Sequence, residues 1–220
     1  MKKKNKAIYL LFLMPFVYFA TACFVVWLVK TSGIYPSGSD TMYHVYRGDY
    51  VYNAIKSGNW YPLYDPAWYN GVEILRYWSP FPAYVMAFCQ YLAGGSQFGA
   101  YLFYIGGVCF LGACVWPFIG RGFNRPYLGA FIGLLWFFIP NNLCAIFIEG
   151  NLARSLSMIF LPVFIYSVYK YLYNHKLRYI PLMVFTFLLM ELCHLGYAGM
   201  VAIAVIIYGI VYIIQKGRKK

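Results

Sequence analysis

Charge is scarce in this sequence of 220 residues, and acidic charge is the scarcest. Charged residues make up 11% of the chain, and only six of its residues are Asp or Glu. A soluble globular domain would carry about 25% charged residues. The signatures of common soluble enzymes are also missing, because there is no P-loop, no glycine-rich dinucleotide fingerprint and no GxSxG or HExxH motif. These absences exclude an ordinary soluble domain and the enzyme classes that those motifs mark.

The cysteines show no paired metal-ligand spacing. Each of them lies in an apolar stretch of the chain: Cys23, Cys89, Cys109, Cys114, Cys144 and Cys193. We therefore interpret them as small hydrophobic residues in packed or lipid-facing helices.

What the sequence does have is apolar length and clustered positive charge. Hydrophobic residues make up 62% of it, the mean hydropathy is +0.60, and apolar runs long enough to cross about 30 Å of hydrocarbon recur. The net charge of +12 comes in short clusters between these runs, which is typical of cytoplasmic loops. Nucleic-acid binding is disfavoured, because it needs Lys and Arg gathered on one surface. The clusters are Lys2–Lys4 with Lys6, Arg121 with Arg125, His175–Lys176 with Arg178, and Lys216 with Arg218–Lys220.

The positions of these clusters predict an all-α, multi-pass protein of the cell membrane with both termini in the cytoplasm. Residues 82–93 are apolar but too few to span the bilayer unaided. If they did cross, the later basic clusters would face outward, so we assign them to a re-entrant or interfacial helix on the outer face. Six spans then remain in a single transmembrane domain, residues 1–220: residues 7–29, 98–119, 127–148, 156–173, 180–193 and 197–214.

The first apolar run has an alternative interpretation as a signal peptide. Residues Ala20–Cys23 resemble a lipoprotein cleavage box. The run continues to Val29, however, whereas the hydrophobic region of a signal peptide has only about 7–15 residues. We therefore expect an uncleaved first transmembrane helix.

The extracytoplasmic loop at residues 30–81 concentrates both acidic and aromatic residues. Tyr and Trp are frequent here, and they favour the headgroup region of a membrane. Ser39 or Asp40 is expected to cap a short helix that ends near Ser57. On that helix Asp40, His44 and Arg47 would share one face. The other acids of the loop are interpreted as solvated residues: Asp49, Asp65 and Glu73.

Asp40 and Glu149 are the candidate catalytic residues, because both lie where an apolar helix meets the predicted outer face. A carboxylate with a second acid nearby can act as general base toward a hydroxyl group. It can also hold a divalent cation such as Mg²⁺ or Mn²⁺ against a diphosphate, and Asp40 is the candidate metal ligand. The structural alternatives are a plain N-cap for Asp40 and a hydrated helix end for Glu149.

Four basic residues complete the candidate site as substrate-binding residues. Arg154 and His194 could contact a lipid phosphate through charge-assisted hydrogen bonds. His44 and Arg47 lie on the same helix face as Asp40. For His194, a packing hydrogen bond is the structural alternative.

The first third of the chain contains a series of short motifs in a fixed order. Asp40-x-x-x-His44 is followed by Gly58–Pro62, by Asp65–Gly71 and then by Tyr77–Pro82. This order resembles the N-terminal module of GT-C type membrane glycosyltransferases, and most nearly the bacterial membrane proteins described as 6-pyruvoyl-tetrahydropterin synthase-related. The resemblance covers residues 7–214. It implies transfer of a sugar from a polyprenyl-phosphate donor on the outer leaflet, with Asp40 as the catalytic or metal-linked aspartate and Glu149 as the acid of the second loop.

The sequence departs from that family in length, because GT-C members usually continue with further spans. A second hypothesis is therefore a non-catalytic membrane protein or subunit that binds lipid-linked sugars. In that case a second membrane subunit would carry the missing spans. A small transporter is disfavoured, because the acidic residues lie at helix ends and the sequence has no internal repeat.

Overall fold

The computed structural model describes the backbone of residues 2–217 and the side chains of residues 12–216. Helices make up 78% of the chain, and in the described part the only strand-like pairing is one bridge between Asp65 and Val72. This confirms the predicted all-α class. The helices are α1 (Lys2–Ser32), α2 (Thr41–Lys56), α3 (Phe81–Leu92), α4 (Gln97–Gly122), α5 (Pro126–Leu135), α6 (Pro140–Leu143), α7 (Leu152–Asn174), α8 (Ile180–Cys193) and α9 (Leu195–Gly217).

Several of these helices are long and apolar enough to cross a membrane. In the described residues they are Phe12–Ser32, Gln97–Gly122, Leu152–Asn174 and Leu195–Lys216, and the bent pair Pro126–Phe138 and Pro140–Ile148 makes a fifth span if it is taken as one. Helix α8, with 14 residues, is shorter than a usual span. A multi-pass arrangement is therefore supported. The count of six spans and the side on which the termini lie stay predictions, and the side chains of the basic clusters at residues 2–6 and 218–220 lie outside the described residues.

The helix predicted over residues 127–148 is not continuous, and the structure corrects that prediction. Helix α5 continues as a 3₁₀ turn, Trp136–Phe138, and the chain then bends by 41° before Pro140–Ile148. Ile139 is extended because a residue before proline disfavours the helical conformation. The Nδ2 of Asn142 donates to the Trp136 carbonyl at 3.0 Å, which satisfies a group that the break would leave free.

Helix α4 is the centre of the packing, with α1 antiparallel to it. The rings of Phe19 and Phe110 are 5.8 Å apart, whereas beyond the end of α1 the ring of Tyr35 lies 5.1 Å from that of Phe98. The hydroxyl of Tyr18 donates to the Ala130 carbonyl at 2.8 Å, so α1 also holds α5. All six cysteines are free, and Cys89, Cys109 and Cys193 are buried, which agrees with their interpretation as hydrophobic residues.

The two ends of the bundle differ in charge. One end, which we call the acidic end, contains the end of α1, the starts of α4 and α7 and the end of α8. It holds the carboxylates Asp40, Asp49, Asp65, Glu73, Glu149 and Glu191. The opposite or basic end joins α4 to α7 through Lys170 and Gly122, and α7 to α9 through His175 and Lys216. This separation follows the predicted distribution of charge along the chain.

Helix α3 lies beside α2 at the acidic end. The Nε2 of Gln90 donates to Asp49 at 2.6 Å and to the Gly95 carbonyl at 3.1 Å. Gly95 also lies close to the hydroxyl of Tyr52 on α2. The turn after α3 is therefore at the same end as α2, which agrees with the prediction that residues 82–93 do not cross the membrane.

Candidate functional site

A close contact between two glycines positions the two candidate catalytic residues. A Cβ atom on Gly38 would lie 2.6 Å from the Cα of Gly150, and Gly150 has a φ of +66°. Because neither glycine has a side chain, the turn before α2 can rest against the turn before α7. The backbone N–H of Asp40 and the hydroxyl of Ser39 then both donate to the Glu149 carbonyl, each at 3.0 Å. The structure thus brings Asp40 and Glu149 together through the backbone.

The carboxylate of Asp40 has very few partners. Asp40 is the N-cap of α2, but its φ of −105° and ψ of −5° are helical, and its side chain forms no capping hydrogen bond. The prediction that Asp40 or Ser39 caps α2 through its side chain is therefore wrong. The hydroxyl of Ser39 at 3.3 Å is its one hydrogen-bond partner among the described side chains, and none of them forms an ion pair with it. This half-exposed carboxylate remains available for a proton or a ligand.

Glu149 is in a different state, because its carboxylate is already occupied. Its Oε2 is 2.5 Å from the Nη1 of Arg154, and the Nη2 of Arg154 donates to Asn141 at 2.7 Å. Asn151 caps α7 by accepting from the N–H of Arg154 at 2.9 Å. Glu149 and Arg154 therefore hold the turn before α7 in place, and this turn is where the backbone of Asp40 is bound.

Arg47 is buried on the inner face of α2, together with His44. Its side chain is 1% exposed, and it is the largest fully buried side chain in the described part of the protein. Its Nη2 donates to the carbonyls of Trp78 and Ser79 at 3.3 and 3.4 Å, and its guanidinium carbon lies 5.5 Å from the centre of the Tyr43 ring. Burial lowers the pKa of Arg47, but a guanidinium stays charged at any physiological pH.

His44 is kept neutral by its surroundings. Burial lowers its pKa to about 3, and the nearby Arg47 and His194 act in the same direction. The predicted arrangement of His44 and Arg47 on one face of α2 is present, because both residues are buried on it. The face therefore carries one buried positive charge, that of Arg47.

A cleft of about 840 Å³ opens beside Arg47, and we call it the loop cleft. Its size falls within the range that is usual for ligand pockets. Its lining comes from the loop before α3, the first turn of α7 and the turn between α8 and α9, and the residues that matter here are Arg47, Tyr61, Arg76, Tyr77, Trp78 and His194. Because Arg47 borders the cleft and is almost fully buried, it lies in the floor. Asp40 and Glu149 are not in the lining, but Asp40 is near enough to His194, which is, for its charge to affect the pKa of that ring.

His194 presents a hydrogen-bond donor at this cleft. Its Nδ1 accepts from the backbone N–H of Tyr197 at 3.0 Å, so the neutral ring carries its proton on Nε2. Nε2 lies 3.4 Å from the Nδ2 of Asn151, which is itself a donor because the oxygen of that amide caps α7. Burial lowers the pKa of His194, whereas the charge of Asp40 acts in the opposite direction, so Asp40 lies within electrostatic reach of this ring.

The acids of the loop have structural partners, and for Asp65 the prediction of a solvated residue is wrong. Asp65 is 2% exposed and accepts from the hydroxyl of Tyr46 at 2.5 Å and from the N–H of Ala67 at 2.9 Å. Glu73 forms an exposed ion pair with Arg76, as expected for a solvated acid. Sequence reasoning also missed the carbonyls of Trp78 and Ser79, because a contact through the backbone leaves no signal in the residue type.

A divalent cation at Asp40 stays a prediction. Among the described residues, no three His, Cys, Asp or Glu side chains gather closely enough to hold a metal ion. An ion at Asp40 would therefore have at most two such side chains as ligands and would take the others from a substrate or water. This fits Mg²⁺, which is often held by one or two carboxylates together with the phosphates of a substrate.

Comparison with known proteins places the chain in a family. A family profile described as "6-pyruvoyl-tetrahydropterin synthase related domain; membrane protein" matches residues 75–220. The match takes in the end of the loop and α3 to α9, and it begins after Asp40 and Arg47. No curated protein and no solved structure shows a significant match. Because the matched segment covers more than half of the sequence, the chain belongs to the family of 6-pyruvoyl-tetrahydropterin synthase-related membrane proteins.

Proposed function

We propose that this protein is a GT-C-like membrane glycosyltransferase, or the N-terminal part of one. It would transfer a sugar from a polyprenyl-phosphate donor at the acidic end of the bundle, which we place on the outer face of the membrane. The observation that carries this proposal is the carboxylate of Asp40, which has no ion-pair partner among the described side chains and lies beside a cleft with a buried arginine in its floor.

In the proposed reaction Asp40 is the general base. Its carboxylate accepts the proton of an acceptor hydroxyl, and the oxygen of that hydroxyl bonds to the anomeric carbon of the sugar. The bond between that carbon and the phosphate oxygen breaks at the same time, and the polyprenyl phosphate leaves with the electron pair. Asp40 suits the role of base better than Glu149, whose carboxylate is engaged by Arg154.

The lining of the loop cleft suits a sugar next to a phosphate. Tyr61, Tyr77 and Trp78 line the cleft and keep 51%, 71% and 45% of their surface exposed. Exposed aromatic rings with a polar tip offer an apolar face to the ring of a sugar and a hydrogen bond to its hydroxyls. In its alternative role Asp40 would hold a divalent cation, which would supply charge stabilisation for the leaving phosphate.

The test is the conservative substitution Asp40→Asn in the full chain, reconstituted in lipid nanodiscs. Transfer would be measured with a panel of radiolabelled polyprenyl-phosphate hexoses and a membrane extract from the source cells as acceptor. Loss of a general base should lower the rate by about 100-fold or more. Asp49→Asn is the matched control, because Asp49 belongs to the same helix and its one side-chain partner, Gln90, can also donate to an asparagine oxygen. Equal transfer by the Asp40→Asn variant and the unmodified chain would count against catalysis.

A non-catalytic protein that binds lipid-linked sugars is the second candidate, and the ion pair of Glu149 with Arg154 favours it. With Glu149 held by Arg154, only one of the two acids is free for chemistry. In addition, only 6% of the residues in the membrane segment of α9 are buried, which leaves its surface open to spans of a second membrane subunit. Full transfer activity of the isolated chain would exclude this candidate. Activity that requires a co-purified membrane subunit would favour it.

A further inference from the structure

The charge of Arg47 has no counter-charge in the described part of the protein. Burying a charged group costs several kcal/mol unless the group is paired and hydrogen-bonded. The two bonds of Arg47 both come from Nη2 and are long, at 3.3 and 3.4 Å. Its Nε is buried without any hydrogen-bond partner, and Nη1 has no acceptor among the described groups. A guanidinium has five donors in a fixed fork, so most of this fork is unused.

The neighbours of Arg47 do not supply the missing charge. His44 is neutral and His194 presents an N–H, so neither brings a negative charge. Of the carboxylates at this end, Glu149 is paired with Arg154 and Glu73 with Arg76. No ion pair or hydrogen bond joins Arg47 to the other carboxylates of this end, which are Asp40, Asp49, Asp65 and Glu191. The site is therefore short of one anion.

The missing anion has a place from which it can enter. Arg47 and His194 border the same cleft, Arg47 from α2 and His194 from the turn between α8 and α9. Two residues that carry unused donors thus line one cavity from separate elements. This arrangement suits a tetrahedral phosphate group, whose several oxygens can accept hydrogen bonds from different directions. Arginine binds such a group through two parallel bonds.

We propose that the floor of the loop cleft is an anion subsite, in which the guanidinium of Arg47 and the Nε2–H of His194 bind the phosphate of a lipid phosphate monoester or diester. This inference deepens the proposed function. It rests on that function for the choice of a lipid phosphate over free phosphate, whereas the need for an anion follows from Arg47 itself.

The experiment uses the full chain in nanodiscs of neutral phosphatidylcholine, with three probes in titration: farnesyl phosphate, farnesol and inorganic phosphate. Farnesyl phosphate should bind and raise the unfolding temperature, and farnesol should bind at least about tenfold more weakly, because it lacks the charge-assisted bonds. Arg47→Met should weaken binding of farnesyl phosphate by roughly 10- to 100-fold. Arg47→Lys should bind farnesyl phosphate with an affinity between those of the unmodified chain and the Arg47→Met variant, because lysine keeps the charge but lacks the planar fork of donors.

Lys56→Met is the matched control. Lys56 is a cation on the same helix, and its Nζ lies 5.3 Å from the centre of the Tyr52 ring, much as Arg47 lies near Tyr43. It is exposed and does not line the cleft, so its loss should change affinity by less than about twofold. His194→Phe provides a second variant if Arg47→Met does not fold, and it should weaken binding of farnesyl phosphate by about 3- to 10-fold.

The outcomes separate this inference from the proposed function. Equal binding of farnesol and farnesyl phosphate, or equal affinities of the Arg47→Met and Lys56→Met variants, would overturn the subsite. Arg47-dependent binding of inorganic phosphate as tight as that of farnesyl phosphate would keep the subsite and overturn its lipid source. Arg47-dependent binding in a chain that transfers no sugar would support the anion subsite and contradict the proposed glycosyltransferase activity.

Discussion

Two buried cations, Arg47 at the acidic end and Lys170 at the basic end, are treated in opposite ways by this fold. Lys170 is 9% exposed, and its Nζ donates to the Gly122 carbonyl at 2.7 Å and lies 4.7 and 5.3 Å from the ring centres of Phe123 and Tyr166. That carbonyl is at the end of α4, where the helix dipole is negative. Lys170 therefore has one short hydrogen bond and two aromatic rings close to its charge, whereas Arg47 has two long hydrogen bonds, one ring at 5.5 Å and a cleft beside it. This difference is the reason why we propose a ligand site at the acidic end and a purely structural contact at the basic end.

The largest expected effect comes from breaking the glycine contact that places α2, the helix of Arg47. Gly150→Ala would bring a Cβ within 2.1 Å of the Oγ1 of Thr41 and within 2.7 Å of its nitrogen, at a residue with a φ of +66°. Backbone strain and overpacking together should lower the free energy of unfolding by about 2–5 kcal/mol. Binding of farnesyl phosphate should be lost as well. Both are measurable in detergent by denaturation and by titration.

Gly58→Ala separates strain from crowding in that experiment. Gly58 also has a positive φ, of +86°, but a Cβ there would meet open space. The variant should lose only about 1 kcal/mol, from the left-handed backbone alone. If Gly58→Ala and Gly150→Ala lost the same stability, the contact between the two turns would not be tight, and α2 would be placed by something else.

Replacing each buried cation by methionine tests the comparison directly, because only the Lys170 variant should lose stability. Lys170→Met leaves the Gly122 carbonyl without its partner and should lower the free energy of unfolding by about 1–3 kcal/mol. Arg47→Met replaces an incompletely paired charge by an apolar group, which is often neutral or stabilising. In the absence of phosphate ligands, its unfolding temperature should therefore equal or exceed that of the unmodified chain. A loss of stability in Arg47→Met as large as that in Lys170→Met would show that Arg47 makes a second purely structural contact.

Much of this difference between the two ends could be predicted from the sequence, because it depends on residue type and spacing. The all-α membrane class follows from long apolar runs, and the separation of acids from basic clusters follows from their order along the chain. The shared face of His44 and Arg47 follows from helical periodicity. These features are local, so periodicity and charge predict them.

What the sequence did not show is which polar groups pair with one another in the folded chain. The ion pair of Glu149 with Arg154 removes one of two acids that sequence reasoning treated as equivalent. The burial of Asp65 depends on the hydroxyl of Tyr46, which no local pattern predicts. The acceptors of Arg47 are carbonyls, which every residue has. The break at Pro140 had a local signal, since proline lacks an N–H, but the hydropathy of the run concealed it.

Acid should weaken the fold at the helix face that carries Arg47, through His44. The pKa of His44 is about 3 in the folded state and near 6.5 in an unfolded chain, so folding favours the neutral ring. Stability from this group is complete above pH 6.5 and falls as the pH drops toward 3, with a loss of roughly 2 kcal/mol at pH 5. His44→Gln should remove this part of the pH dependence in denaturation experiments between pH 5 and 8. His175→Gln, at an exposed histidine of the basic end, should keep the full slope, and the same slope in both variants would contradict the assignment to His44.

The smallest expected effect concerns Asp40, and it decides whether Arg47 already has a counter-charge. The side chain of Asp40 caps nothing, so Asp40→Ala should change the free energy of unfolding by less than about 0.5 kcal/mol. Ser96→Ala is the reference, because Ser96 caps α4 by accepting from the N–H of Gly99 at 3.0 Å, and its loss should cost about 1 kcal/mol. If Asp40→Ala instead destabilised the protein by several kcal/mol, Asp40 would be the hidden partner of Arg47. The cation at the acidic end would then be compensated by the chain like Lys170, and the cleft would need no anion.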